Sequence, residues 1–212
     1  MPARIFNKLT SVDIFTIFNI FIFLAMLYFV YYERFINYFG QARKAEFFIY
    51  AVLTVIIICS VSMQFRNIKC PVWLFIMIEA GLLFHFAGGI VHYDSKRLYD
   101  HYFFYIRYDK FVHFYNAFTA AVCISFIFSY MKLKLGTLRN IIIFFTVLGL
   151  GAMIEIFEYA VAKNITDNGV GLYNNNMQDL ISNAAGISFF LIISAVSGKF
   201  KLNSLHTAVH EK

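Results

Sequence analysis

Charge is scarce in this sequence of 212 residues. Asp, Glu, Lys and Arg together make up 14% of it, where a soluble domain carries nearer about a quarter. That scarcity excludes an ordinary water-soluble fold. Proline is nearly absent, at two residues. Cysteine is limited to Cys59, Cys70 and Cys123, two of them inside apolar runs and no pair at metal-ligand spacing. A disulfide framework and a thiolate metal site are therefore excluded, and the three read as small packing residues. The sequence has no glycine-rich nucleotide loop, no H-E-x-x-H, no G-x-S-x-G and no haem attachment motif. It also lacks the short alternating segments of an outer-membrane barrel, any low-complexity tract and any defensible internal repeat.

What is present is apolar. Hydrophobic residues make up 60% of the chain, with 27 Phe and 14 Tyr, and the mean hydropathy is +0.67. The composition predicts an all-α, polytopic membrane helix bundle. Six runs approach the ~20 residues that a spanning helix needs, at about 13–32, 46–64, 71–91, 111–131, 139–162 and 179–197. They are taken as a single domain over 1–212. The basic start, MPARIFNKLTSVD, leads into the first run, and no small-residue cleavage site follows it. It reads as a retained helix.

The formal charge of +6 is no sign of nucleic-acid binding, because the cations sit in short loops between apolar runs. One side of the membrane collects ten Lys and Arg and the other eight. With the single cation of the loop from Lys163 to Gln178, this places both termini in the cytoplasm of a bacterial inner membrane.

Helix direction adds an inference that does not depend on orientation. The third and fifth runs end on the membrane face where the fourth and sixth begin. Glu155 then lies roughly 10 Å inside the end of its helix, and His113 and Asn183 about one turn inside theirs. Ionisable groups at such depths are functional-site candidates by default.

Asp109 and His113 are spaced i, i+4 and share a helix face, so the carboxylate can orient the ring or hold a metal beside it. The plainer reading makes Asp109 the cap of a helix starting at Lys110, which leaves His113 unexplained. Glu155 and Glu158, at i, i+3, repel each other unless a cation, a shared proton or several donors hold them. The plainer reading pairs one of them with Arg107, Lys110 or Lys163 in a packing salt bridge. Asp179 and Asn183 are again i, i+4. Asp179 reads alternatively as a cap, Asn176 joins if the helix starts early, and Ala184, Ala185 and Gly186 allow close helix contact. His85 and His92 are two turns apart on the third run. His92 has the depth of the polar layer, His85 is deeper, and Glu79 stands apart as a proton-path or hydrogen-bonding residue. Gly149 and Gly151 read as helix-packing positions.

The stretches HFAGGIVHY, YDKFVHFYNAF, MIEIFEYAVA and NNNMQDLISNAAG resemble the YjdF-type bacterial inner-membrane proteins. They are similar in turn to the broader VanZ-like group. Matched by position, the shared residues are Asp109, Lys110, His113, Phe114, Glu155, Glu158, Asp179, Asn183 and Gly186. The resemblance covers the third to sixth runs and implies a membrane site at the cell envelope, without implying a reaction.

Three functions remain open. In an enzyme acting on a lipid or lipid-linked headgroup, Asp109, His113, Glu155 and Asp179 hold a divalent metal, with His92 in reserve. Oxygen and imidazole ligands suit Zn, Mn or Mg. Glu158 then acts as general base or orients a ligand, with Glu155 and His113 also at the chemistry, and Asn183 and Lys110 complete the polar layer. In a proton-coupled transporter or flippase the same acids titrate in turn, although no inverted repeat is visible. In a non-catalytic envelope scaffold the layer is only interhelical glue.

Overall fold

The computed structural model describes residues 9–66, 68–136, 138–164 and 173–196. The terminal cations used above for orientation, Arg4, Lys8, Lys199, Lys201 and Lys212, lie outside the described residues, as does Ser197. Six helices are long and apolar enough to cross a membrane: Ser11–Asn37, Gln41–Phe65, Val72–Ile90, Tyr108–Tyr130, Leu138–Ala160 and Tyr173–Val196. The sequence-based runs fall on these helices, with the largest differences at the end of the first, the start of the second and the start of the sixth. The third helix stops at Ile90, and the sixth begins at Tyr173.

The chain forms two compact units, residues 1–75 and 76–212. In the first, α1 (Ser11–Met26) opens with a capping box in which Asp13 N–H donates to Thr10 Oγ1 at 3.2 Å and Thr10 N–H to Asp13 at 2.8 Å. The helix passes through a π turn at Leu27–Tyr31 into α2 (Tyr32–Phe39). The next helix, α3 (Lys44–Phe65), is tied to α1 by a 2.7 Å contact between the Thr16 and Ser62 hydroxyls and by an Arg66–Asp13 ion pair at 3.1 Å. Cys59, Cys70 and Cys123 form no disulfide among the described residues, and burial pushes the Cys70 thiol up to about 11, which keeps it protonated and unreactive.

Four helices organise the second unit, which takes in most of α4 (Val72–Ile90), α5 (Tyr108–Tyr130), α6 (Leu138–Asn164) and α7 (Tyr173–Val196). Small residues set the approach of their axes. A Cβ on Gly186 of α7 would fall against the Phe114 carbonyl of α5. Asn183 of α7 packs so closely on Gly151 of α6 that an added Cβ would lie 2.6 Å from its Nδ2. Gly151 and Gly186 are thus packing positions, as expected. Gly149 is not, for nothing stands within 4 Å of where its Cβ would be. Between α4 and α5, Tyr115 Oη donates to the Met77 carbonyl at 3.2 Å and Tyr108 Oη to the Phe84 carbonyl at 3.0 Å. At the far end of α5, Arg139 donates to the Ser125 carbonyl at 2.7 Å and to Ser129 Oγ at 2.8 Å, neutralising a helix C-terminus.

The loop from α4 to α5 carries two β-hairpins that the sequence reading did not anticipate. Strands β1 (His92–Tyr93) and β2 (Lys96–Arg97) pair antiparallel, as do β3 (Tyr102–Phe103) and β4 (Ile106–Arg107). Their two-residue turns, Asp94–Ser95 and Phe104–Tyr105, both lie at positive φ. Such turns normally announce themselves by Asn-Gly or Asp-Gly, and neither is present. A 3-10 turn at Leu98–Asp100 joins the two hairpins.

Candidate functional site

Asp109, His113 and Asp179 meet where α5 and α7 begin, each offering a ligand atom within 4.8 Å of the others. Neither acid is a cap. Helix α5 starts at Tyr108 after an uncapped Arg107, so Asp109 sits in the first turn, where its charge complements the helix dipole. Because α7 starts at Tyr173, Asp179 lies well inside the helix, with no solvent exposure. The i, i+4 spacing brings His113 Nε2 to 3.7 Å from Asp109 Oδ1, and it stands 3.4 Å from Asp179 Oδ1. These separations are long for hydrogen bonds. They are close to the ~3.4 Å edge of a tetrahedron of ligands at ~2.1 Å.

The other ring nitrogen faces Glu155 of α6, with His113 Nδ1 3.7 Å from Oε1. Glu155 therefore does not join the trio. It stands behind the histidine, where a carboxylate fixes the tautomer of a ligating ring. Glu155 is buried, and neither of its carboxylate oxygens has a hydrogen-bond partner among the described residues.

Lys110 supplies the buried cation. Its Nζ donates to Asp179 Oδ1 at 2.6 Å, Asn175 Oδ1 at 2.9 Å and Asp109 Oδ2 at 3.1 Å. Asn175 steadies Asp179 in turn, with Nδ2 donating to Oδ2 at 2.7 Å. It also accepts from Arg107 Nη1 at 2.8 Å. Sequence reading missed Asn175, although its i, i+4 spacing to Asp179 was the available signal. The early helix start takes in Asn176, which turns to α6 and not to Asp179 or Asn183. Its Nδ2 donates to the Glu155 backbone carbonyl at 3.3 Å.

Arg107 ties the site to the hairpin loop, donating to Asp100 Oδ1 at 2.8 Å and to the Tyr99 carbonyl at 3.1 Å. Burial raises the Asp100 carboxyl, but the guanidinium groups of Arg97 and Arg107 outweigh it and hold the group below its ordinary 3.8. A depressed carboxylate contributes stability that is complete above its unfolded value and lost as pH falls through the lowered one. Loop order is therefore expected to persist at about pH 5 and to fail only in stronger acid. Amide hydrogen exchange over residues 97–107 checks this. Asp100→Asn should exchange at the higher pH as the wild type does in acid.

The remaining candidates lie apart from the trio. His92 is not on the helix but on β1, exposed, with Nδ1 2.9 Å from the Ile90 carbonyl. His85 is exposed and meets the Tyr99 hydroxyl through Nδ1. Glu79 lies within α4. Asn183 is buried against Gly151. Glu158 is half-buried one turn beyond Glu155, and among the described residues no ion pair joins it to Arg107, Lys110 or Lys163. The packing salt bridge considered for the glutamates is therefore not formed.

Residues 14–199 match the family described as Predicted membrane protein (DUF2238). Neither the curated proteins nor the solved structures contain a match to the chain.

Proposed function

The chain belongs to the DUF2238 family of predicted membrane proteins, the family of the YjdF-type proteins, and from that premise we propose that its acid–histidine cluster holds a divalent cation and processes a lipid or lipid-linked headgroup. Charge balance carries the proposal. Among the described residues the buried ionisable side chains are Asp109, Glu155, Asp179 and Lys110. Within this buried set, three carboxylates facing one ammonium leave two negative charges, since Arg107 comes no nearer to Asp109 than 3.9 Å and is itself paired with Asp100 at 2.8 Å, and buried charge without a close partner is costly. A divalent cation on Asp109, His113 and Asp179 cancels both. Glu155 then orients His113 through Nδ1, and Glu158 is the candidate base. Such a cation polarises a phosphoryl or carbonyl oxygen and acidifies a bound water.

The position of the cluster supports the substrate class. It lies at helix ends, at headgroup depth, and with both termini in the cytoplasm it faces the outer leaflet of a bacterial plasma membrane. The likeness of these same positions to VanZ-like proteins supports an envelope role.

A second reading rests on the same deficit. Protons on two of the carboxyls, Glu155 among them because neither of its oxygens has a hydrogen-bond partner among the described residues, would also restore neutrality, and a site that exchanges them is that of a proton-coupled transporter.

Elemental analysis of detergent-purified protein separates the two. His113→Ala is the informative variant, because it removes a ligand and leaves every carboxylate and the ammonium in place. Near one Zn or Mn per chain, reduced about tenfold or more in the variant, is the expected result. No metal in the wild type after reloading with Zn²⁺ and Mn²⁺ would sink the liganding roles and leave the two-proton site.

A further inference from the structure

The two hairpins share one backbone and differ in what they carry at the tip. Both have the same register, with His92 opposite Arg97 in one and Tyr102 opposite Arg107 in the other. Both turn through two residues at positive φ. In the first these are Asp94 and Ser95, and a short polar side chain tolerates the left-handed region. In the second they are Phe104 and Tyr105, at φ 49° and 71°. Bulky residues are disfavoured there, and such outliers cluster at clamps and binding elements. The strained aromatic side chains gain no packing within the chain, for Phe104 is 96% exposed and Tyr105 fully so.

Their apolar surface is continuous with a membrane span. Phe103 meets Tyr108 edge-on, Tyr108 meets Phe111 and Phe111 meets Tyr115, a series that runs from the hairpin along the α4-facing side of α5, with Phe111 at its open edge. Phe111 is itself exposed, as are Ile90 and Val91 at the end of α4. Aromatic rings at the end of a span belong to the interfacial belt between headgroups and acyl chains.

We propose that the second hairpin is a membrane anchor, with Phe104 and Tyr105 inserted into the lipid interface beside the end of α5, while the first hairpin stands in water. This assignment is independent of any metal at the acid–histidine cluster. It gives the left-handed aromatic turn a purpose: a tight two-residue reversal presents both rings at the apex, where a wider loop would spread them.

Trp73 is the only tryptophan, so Trp73→Phe gives a silent background. Tyr105→Trp and Ser95→Trp are then placed separately in that background. The protein is reconstituted in vesicles of phosphatidylethanolamine and phosphatidylglycerol, with and without brominated acyl chains. The emission of Tyr105→Trp is expected at shorter wavelength than that of Ser95→Trp, with bromolipid quenching roughly threefold stronger and aqueous iodide quenching correspondingly weaker. Phe104→Trp should repeat the result if Tyr105→Trp folds poorly. Equal iodide access at both tips would overturn the proposal. A blue-shifted emission that bromolipid leaves unquenched would also overturn it, and would assign the tip to a protein partner or second copy.

Discussion

Lys110→Met is expected to destabilise the protein by about 3–5 kcal/mol, because it leaves buried carboxylates without their ammonium. Lys110 donates to both Asp109 and Asp179, so no neighbouring cation takes its place at Asp179. Arg107 comes no nearer to Asp109 than 3.9 Å and is held by Asp100 at 2.8 Å. Neutralising the partner as well, in Lys110→Met with Asp179→Asn, should recover much of the loss, since the cost lies in the unpaired charge more than in the missing contact. Reversible unfolding in mixed micelles measures the cycle. Added Mn²⁺ or Zn²⁺ should stabilise Lys110→Met, by about 2.7 kcal/mol in all at one hundred times its dissociation constant. A single variant within about 1 kcal/mol of wild type, with no response to metal, would remove the charge argument on which the proposed function rests.

The second large effect is steric. Gly186→Ala sets a methyl group against the Phe114 carbonyl, and backbone cannot swing aside as a side chain can. Forcing α5 and α7 apart should cost about 1–3 kcal/mol or more. The strain lies next to His113 and two turns from Asp179, so metal binding should fall in the same variant. Gly149→Ala is the matched control. Its methyl group meets nothing within 4 Å, and the change should stay within about 0.5 kcal/mol of wild type. Thermal unfolding of the pair, alongside metal content, reads both. If the two variants behave alike, Gly186 does not set the helix spacing.

The sequence made the layer legible, because each acid stood in an apolar run at a countable depth and odd and even helices must share faces. Asp109 with His113, and Asp179 on another helix, followed from one-turn spacing. Partner choice did not. Lys110 has the reach to pair with several acids, and only the approach of α7 selects Asp179. Asn175 looked like one polar residue among several in a loop, since nothing in NNNMQD fixes where the helix begins. An earlier start turned Asp179 from a cap into a buried group. His92 failed in the opposite way: its helix ended at Ile90, one residue short of the expected Val91, and the chain reversed into a hairpin without any Gly to mark the turn. Glu155 does stand beside His113, but the side of the ring that it faces is a matter of helix rotation, which periodicity alone does not give.

The Lys110–Asp179 pair also bears on how the protein is made. Its members are separated by 69 residues, and the acid arrives on a helix synthesised after α5 and α6. Until then the nascent chain holds Lys110 in the bilayer with Asp109 as its nearby carboxylate. When α7 emerges it carries an acid whose insertion alone costs about 2.5–3.5 kcal/mol. Meeting a waiting ammonium removes most of that penalty. Helix α7 is therefore drawn into place by charge as well as by the glycine seam, and its arrival completes the site.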